Sequence, residues 1–183
     1  MKKILVPIAN GTEEMEAVII IDMLRRASME VTIAGDGNVV VCSRGVRMVP
    51  DIIIEDITED ERFDAIIIPG GSQGVGNFLN NHALEQILLR HMAKKGLIGA
   101  ICAAPMVLHE FGLLHQGAVV TSHPSIADVL APYTYTLERV AIDGNIVTSR
   151  GAGTAFEFCL ALIRKLADEA TATRIATDIV MYE

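Results

Sequence analysis

The chain has 183 residues, 51% of them hydrophobic but only 4% aromatic, with no tryptophan and a formal net charge of −8. That length fits one domain, 1–183, with an aliphatic core, and the acidic balance argues against nucleic acid or an anionic membrane as a main partner, since either needs a basic face. Three cysteines without CxxC or Cys/His spacing suggest neither a disulfide framework nor a metal site, and no apolar run reaches the ~18 residues of a membrane span, so the expectation is a soluble chain of a reducing compartment, the cytoplasm.

Ile4 to Ala9 reads as a buried strand, punctuated by Asn10-Gly11. A helix comes next, with Thr12 as its expected cap and Glu13, Glu14 and Glu16 in its first turn. It carries the run Ala17 to Ile21 with Met15 and Met23 nearby, more apolar surface than one buried stripe needs, so Met15, Ile19 and Met23 are expected to meet a second copy in a homodimer. Val31 to Ala34 and Val39 to Cys42 read as strands, and 46–62 carry little signal. Asp64 to Ile68 is a buried strand closed by Pro69-Gly70-Gly71, with a loop to Gly76 and a helix from His82 to Lys95 after it.

Leu97 to Ile101 is another buried strand, and it stops at Cys102, after which small residues and Pro105 open a helix. Beyond Gly112 the expectations are a strand at 119–122, a turn at His123-Pro124, a short helix at 126–130 and a hairpin about Asp143-Gly144. A helix with Phe156, Leu160 and Ile163 and a last helix ending near Met181 complete the chain. Apolar strands alternating with helices predict an α/β fold with a mostly parallel sheet.

In such a sheet the ligand crevice lies outside the carboxyl ends of the strands. The strand ends deliver the glutamates, the Gly70-Gly71 turn and Cys102 to that edge. A carboxylate, free backbone N–H groups and a thiol amount to most of a covalent active site. A thiol at a helix start is expected to have a lowered pKa, although most free cysteines are simply packed, which is the reading for Cys42 and Cys159.

Gly11-Thr12-Glu13-Glu14-Met15-Glu16, Leu24-Arg25-Arg26-Ala27, Cys42-Ser43-Arg44, Pro69-Gly70-Gly71, Ala100 to Pro105 and Thr148 to Thr154 occur in order. Together they resemble the ThiJ/PfpI superfamily, in the branch of the parkinsonism-associated deglycase (DJ-one) and its bacterial relatives. The resemblance implies a flavodoxin-like three-layer sandwich that dimerises through the first helix, with Cys102 on a strained nucleophile elbow. It implies a protonated Glu16 as the partner of Cys102, backbone N–H groups of Gly71, with Gly70 beside it, and Ala103 near the sulfur, and His123 near the pocket in an acid or base role. Arg26, Arg44 and Arg150 match arginines that line the cleft in relatives, where they would bind an anion. No metal or organic cofactor is implied.

Ala103 stands where the protease-like branches place a histidine, which disfavours peptidase activity. Ala104 replaces a common glycine, and Ala152 a common proline. The functional expectation is a glyoxalase or deglycase acting on methylglyoxal, glyoxal or their adducts. The alternative is a redox sensor or stress-protective chaperone in which oxidation of Cys102 is the signal. A phosphate-ester role calls for a P-loop or GxGxxG after a strand, and neither is present.

Overall fold

The structure is a computed structural model and describes residues 1–181. In chain order the elements are β1 (Lys3–Ile8), α1 (Glu14–Arg26), β2 (Glu30–Gly35), β3 (Val40–Val41), β4 (Arg47–Met48), β5 (Ile52–Ile53), β6 (Ala65–Ile68), α2 (Ser72–Leu79) and α3 (His82–Ala93). They continue with β7 (Leu97–Ile101), α4 (Pro105–Glu110), β8 (Val119–Val120), β9 (Thr134–Tyr135), β10 (Val140–Asp143), β11 (Ile146–Ser149), α5 (Ala155–Leu166) and α6 (Glu169–Asp178).

A seven-stranded sheet runs β10-β11-β7-β6-β1-β2-β5. Every pairing in it is parallel except β10 with β11. Alternation along β1 sends Ile4, Val6 and Ile8 to one face, against α1, α5 and α6, while Leu5 faces Phe78, Leu88 and Val107 of α2, α3 and α4 on the other. The result is the three-layer, flavodoxin-like sandwich expected. Each of these fully buried side chains contributes about 1.5–3 kcal/mol by leaving water. Winding reverses between β1 and β6, which puts the crevice at their carboxyl ends, beside that of β7.

Several local expectations change. Glu13, not Thr12, caps α1, its side chain accepting the Glu16 N–H at 2.8 Å. The Thr12 hydroxyl is turned inward to accept the Ala9 N–H at 2.9 Å. The expected loop to Gly76 is helix α2. Gly74 sits in it because the helix lies on the Thr12 backbone, where a Cβ would stand 2.7 Å from the Thr12 nitrogen. Only Val40–Val41 of the strand at 39–42 is paired, with Arg47–Met48. The strand at 119–122 stops at Val120, and a 3-10 turn at Pro124–Ile126 replaces the helix at 126–130. The hairpin turn is Gly144-Asn145, one residue on, because Asp143 pairs with Ile146. In α5 the core-facing aromatic is Phe158, while Phe156 is exposed, and α6 ends at Asp178.

The first helix is divided more sharply than its sequence indicates. Met15 is 57% exposed and Ile19 half-buried, but Met23 is 1% exposed and packed in the chain's own core. Met23 is therefore not part of any surface offered to a second copy.

Candidate active site

Glu16 lies in the first turn of α1 with 0% of its surface exposed. Its Oε2 accepts the Gly70 N–H at 2.7 Å. Its Oε1 is sealed from solvent without a hydrogen-bond partner of ordinary geometry among the described residues, and besides the Gly70 N–H the polar groups facing the carboxyl are the Cys102 thiol and the Ala152 N–H. Gly151 closes the site from the third side: a Cβ placed on it would stand 4.0 Å from both Cys102 Sγ and Glu16 Oε1.

Cys102 directly succeeds β7 and has φ +64. A non-glycine residue in that region is strained, by roughly 1–2 kcal/mol, and the surroundings hold it there. The Cys102 N–H donates to the Ser149 carbonyl at 3.0 Å and its carbonyl accepts the His123 N–H at 2.8 Å. The backbone N–H groups of Gly71 and Ala103 face the sulfur. Gly71 has φ +97, a conformation that frees its N–H for this task and that glycine adopts without cost to a Cβ.

Burial pushes the Glu16 carboxyl up to about 7, against the opposing pull of the Gly70 N–H and the Cys102 thiol. Burial, and next the Glu16 carboxylate, push the Cys102 thiol up to about 12, against the N–H groups of Gly71 and Ala103. The lowered thiol pKa expected from a helix start is thus reversed. Helix α4 has only 6 residues and its cap is Ala104, so little dipole reaches the sulfur, while the neighbouring carboxylate is in contact range. Burial drives both shifts, and the Glu16 carboxylate adds its repulsion to the Cys102 shift alone, so that between the two steps the pair keeps a single proton.

One cleft joins Glu16, Gly71, Cys102, Ala103, His123 and Arg44. Gly70 lies beneath it, its Cα packed against the pair. The His123 ring is exposed, and its Nδ1 meets the Ser125 hydroxyl at 2.8 Å and accepts the Ser125 N–H at 3.2 Å, leaving the Nε2–H tautomer in the neutral ring. Arg44 is held at the rim by its backbone: its N–H donates to Glu14 Oε1 at 2.8 Å while the Ser43 hydroxyl donates to Oε2 at 2.7 Å.

Arg150 does not line the cleft, although its buried Nη1 lacks a partner among the described residues. Arg26 is at the far end of α1, about 15 Å along the axis from Glu16 at roughly 1.5 Å per residue, and pairs with Asp22 at 2.6 Å. Within one chain, Arg26 is therefore not brought to the thiol. Sequence reasoning missed Gln73 and Ser125, which also line the cleft. Their signal was position alone, just after Gly70-Gly71 and His123-Pro124. Among the described residues no cluster of His, Cys, Asp and Glu has the geometry to hold a metal ion, and no helix is long and apolar enough to cross a membrane.

The DJ-1/PfpI family model matches residues 2–165. A Parkinson disease protein 7 homolog of Danio rerio is 39% identical over 187 residues, covering 100% of this chain and 98% of that protein. A glutathione-independent glyoxalase of Caenorhabditis elegans is 37% identical over 157 residues, covering 84% and 82%. The crystal structure of Drosophila melanogaster DJ-1beta superposes with a TM-score of 0.93 at 39% identity, covering 98% of this chain and 97% of that one. The chain belongs to the DJ-1/PfpI family.

Proposed function

We propose that this chain is a cofactor-independent glyoxalase or deglycase that acts on methylglyoxal, glyoxal or their adducts through Cys102 and Glu16. The observation that carries the reading is the buried Glu16 Oε1, without a hydrogen-bond partner of ordinary geometry among the described residues, beside the Cys102 thiol. A carboxyl in that position can hold a proton for a sulfur that must become anionic. The relative named as a glutathione-independent glyoxalase supports the choice of reaction.

In the reactive state the proton is on Glu16 and Cys102 is a thiolate. The sulfur adds to the aldehyde carbon of methylglyoxal, the carbonyl π pair moves to oxygen, and that oxygen takes the Glu16 proton, giving a hemithioacetal. Glu16, now a carboxylate, removes the C1 proton to give an enediolate and returns that proton to C2, while the C1 hydroxyl proton passes to the C2 oxygen and C1 becomes the thioester carbonyl. The resulting thioester is hydrolysed to lactate, which returns the thiol. Methylglyoxal and water become lactate with no external oxidant, because one carbon is oxidised as its neighbour is reduced. Gly71 and Ala103 supply N–H groups for developing negative charge, and His123 and Arg44 stand at the rim. Two copies pairing through Met15 and Ile19 in the cytoplasm complete the proposal. Lactate formation from methylglyoxal by the purified protein is the test, and undiminished turnover in Cys102→Ala overturns the mechanism.

A second reading, as a redox sensor, draws on the same pair of N–H groups facing the sulfur. Peroxide takes two electrons from the sulfur for each oxygen added, giving sulfenate and then sulfinate, whose oxygens those donors suit. Mass spectrometry after mild peroxide decides it: oxygen on Cys102 supports sensing, and oxygen on Cys42 or Cys159 with Cys102 reduced ends it.

A further inference from the structure

At the pole of the sheet opposite Cys102, a small cleft of about 110 Å³ opens between the last turns of α3 and the starts of β6 and β7. Its inner wall is the side of Phe63, Ile66 and Ile87 together with the buried ring of His91. The ring is a wall and not a charge. Its Nε2–H donates to the Leu97 carbonyl at 2.9 Å, and burial lowers its pKa.

The mouth is cationic. Arg62, Arg90 and Lys94 converge there against a single lining carboxylate, Glu61, in a chain whose net charge is −8. None of the three cations is neutralised by a buried anion. Arg62 Nη1 is spent on the carbonyls of Glu59 and Glu61. Arg90 reaches only Glu59, at 3.9 Å, whose side chain is 87% exposed. Lys94 has no carboxylate partner among the described residues. The negative end of α3 also points here, but its last carbonyls are occupied: Lys94 and Gly96 donate to the His91 oxygen at 3.2 and 3.0 Å, and Lys95 to that of Met92 at 2.8 Å. Like charges held together over low-dielectric walls raise the local potential and favour a counter-ion.

We infer that this cleft is a second small-molecule site, for an organic monoanion whose apolar body lies on Phe63, Ile66 and Ile87 and whose carboxylate meets Arg90 and Lys94. It is independent of the chemistry at Cys102.

The full chain is titrated with benzoate and, separately, with the neutral isostere benzamide, monitored by backbone amide resonances. The expected result is saturable benzoate binding that shifts Ile87, His91 and Gly96, with benzamide about tenfold weaker or more. Arg90→Glu combined with Lys94→Glu, both at the rim, is expected to weaken benzoate by about tenfold or more while leaving the rate of Cys102 alkylation unchanged. Equal binding of the two probes, shifts confined to Gly71 and Ala103, no saturation, or a folded double variant that binds benzoate normally would each overturn the site.

Discussion

Glu16 and Cys102 face one another in a buried corner of the cleft, where burial holds the carboxyl's proton on and the carboxylate in turn resists ionisation of the thiol. The carboxyl gives up its proton at about 7 and the thiol loses its own only at about 12. Over the interval the pair holds one proton, and the thiolate with protonated Glu16 is a fixed share of that state. Alkylation of Cys102 by iodoacetamide is therefore expected to rise with pH about a midpoint near 7 and then level off. A rate that climbs about tenfold per pH unit through the alkaline range would show that the thiol titrates alone. In Glu16→Gln the step near 7 is expected to vanish, with a single later step in its place.

The same shift has a stability consequence of definite sign. The folded-state pKa of Glu16 lies above its ordinary value of 4.5, so the native state binds the extra proton between 4.5 and about 7. Stability from this group is complete below 4.5 and is lost as pH rises through about 7. Glu16→Gln, which keeps an acceptor for the Gly70 N–H, is expected to be more stable than the parent by on the order of 3 kcal/mol at pH 8, or roughly 6–12 °C in Tm. Near pH 4 the difference is expected to disappear. Thermal melts at the two pH values check it.

Much of this arrangement was legible in the sequence. Uninterrupted apolar runs at 4–8, 65–68 and 97–101 fix buried parallel strands, and the groups carried just beyond their ends, Glu16, Gly70-Gly71 and Cys102, must emerge at one edge. The features that were not legible depended on contacts between distant segments. Gly74 and Gly76 read as loop residues because their cost in a helix is local, while the reason for Gly74, the Thr12 backbone beneath it, is not. A run that is apolar on every side, as in α1, does not say which side faces out, and Met23 in fact faces the chain's own core. The direction of the Cys102 shift is not legible either, because burial and Glu16 outweigh a short helix's dipole, and neither burial nor that contact is written in the motif.

Glu14 acts in the opposite sense to Glu16. Burial pushes its pKa up, but the Ser43 hydroxyl and the surrounding backbone N–H groups more than offset this, and the carboxyl is held below its ordinary range. Its stabilisation is present above 4.5 and lost as pH falls through the lowered folded value. Glu14→Ala strips both acceptors from the Ser43-Arg44 segment and is expected to cost about 2 kcal/mol near neutrality. Hydrogen exchange is expected to quicken at Arg44, and the deficit against the parent is expected to shrink in acid.

The strain at Cys102 can be measured without its chemistry. At φ +64 an alanine keeps the Cβ conflict and a glycine removes it. Both Cys102→Ala and Cys102→Gly lack the sulfur, so their difference isolates the backbone. The glycine variant is expected to be the more stable by about 1 kcal/mol in denaturant unfolding, net of its greater freedom in the unfolded chain. Equal stability would mean that the elbow is relaxed.

Gly70 is the position where backbone, carboxyl and thiol come closest. A Cβ there would stand 2.6 Å from the Cys102 Cβ, 2.8 Å from Glu16 Oε2 and 2.9 Å from the Ile101 carbonyl oxygen. Two of these atoms belong to or adjoin the backbone and cannot swing aside, so relief must come from Glu16, by stretching the 2.7 Å bond it receives from the Gly70 N–H. That bond lowers the carboxyl pKa against burial. Losing it raises the pKa further, so Gly70→Ala is expected to move the midpoint of Cys102 alkylation above 7 and to cost about 1–3 kcal/mol of stability through overpacking. Circular dichroism would establish that the variant is folded before the alkylation profile is taken. A folded Gly70→Ala whose profile matched the parent would show that the Gly70 N–H does not set the proton balance of the pair.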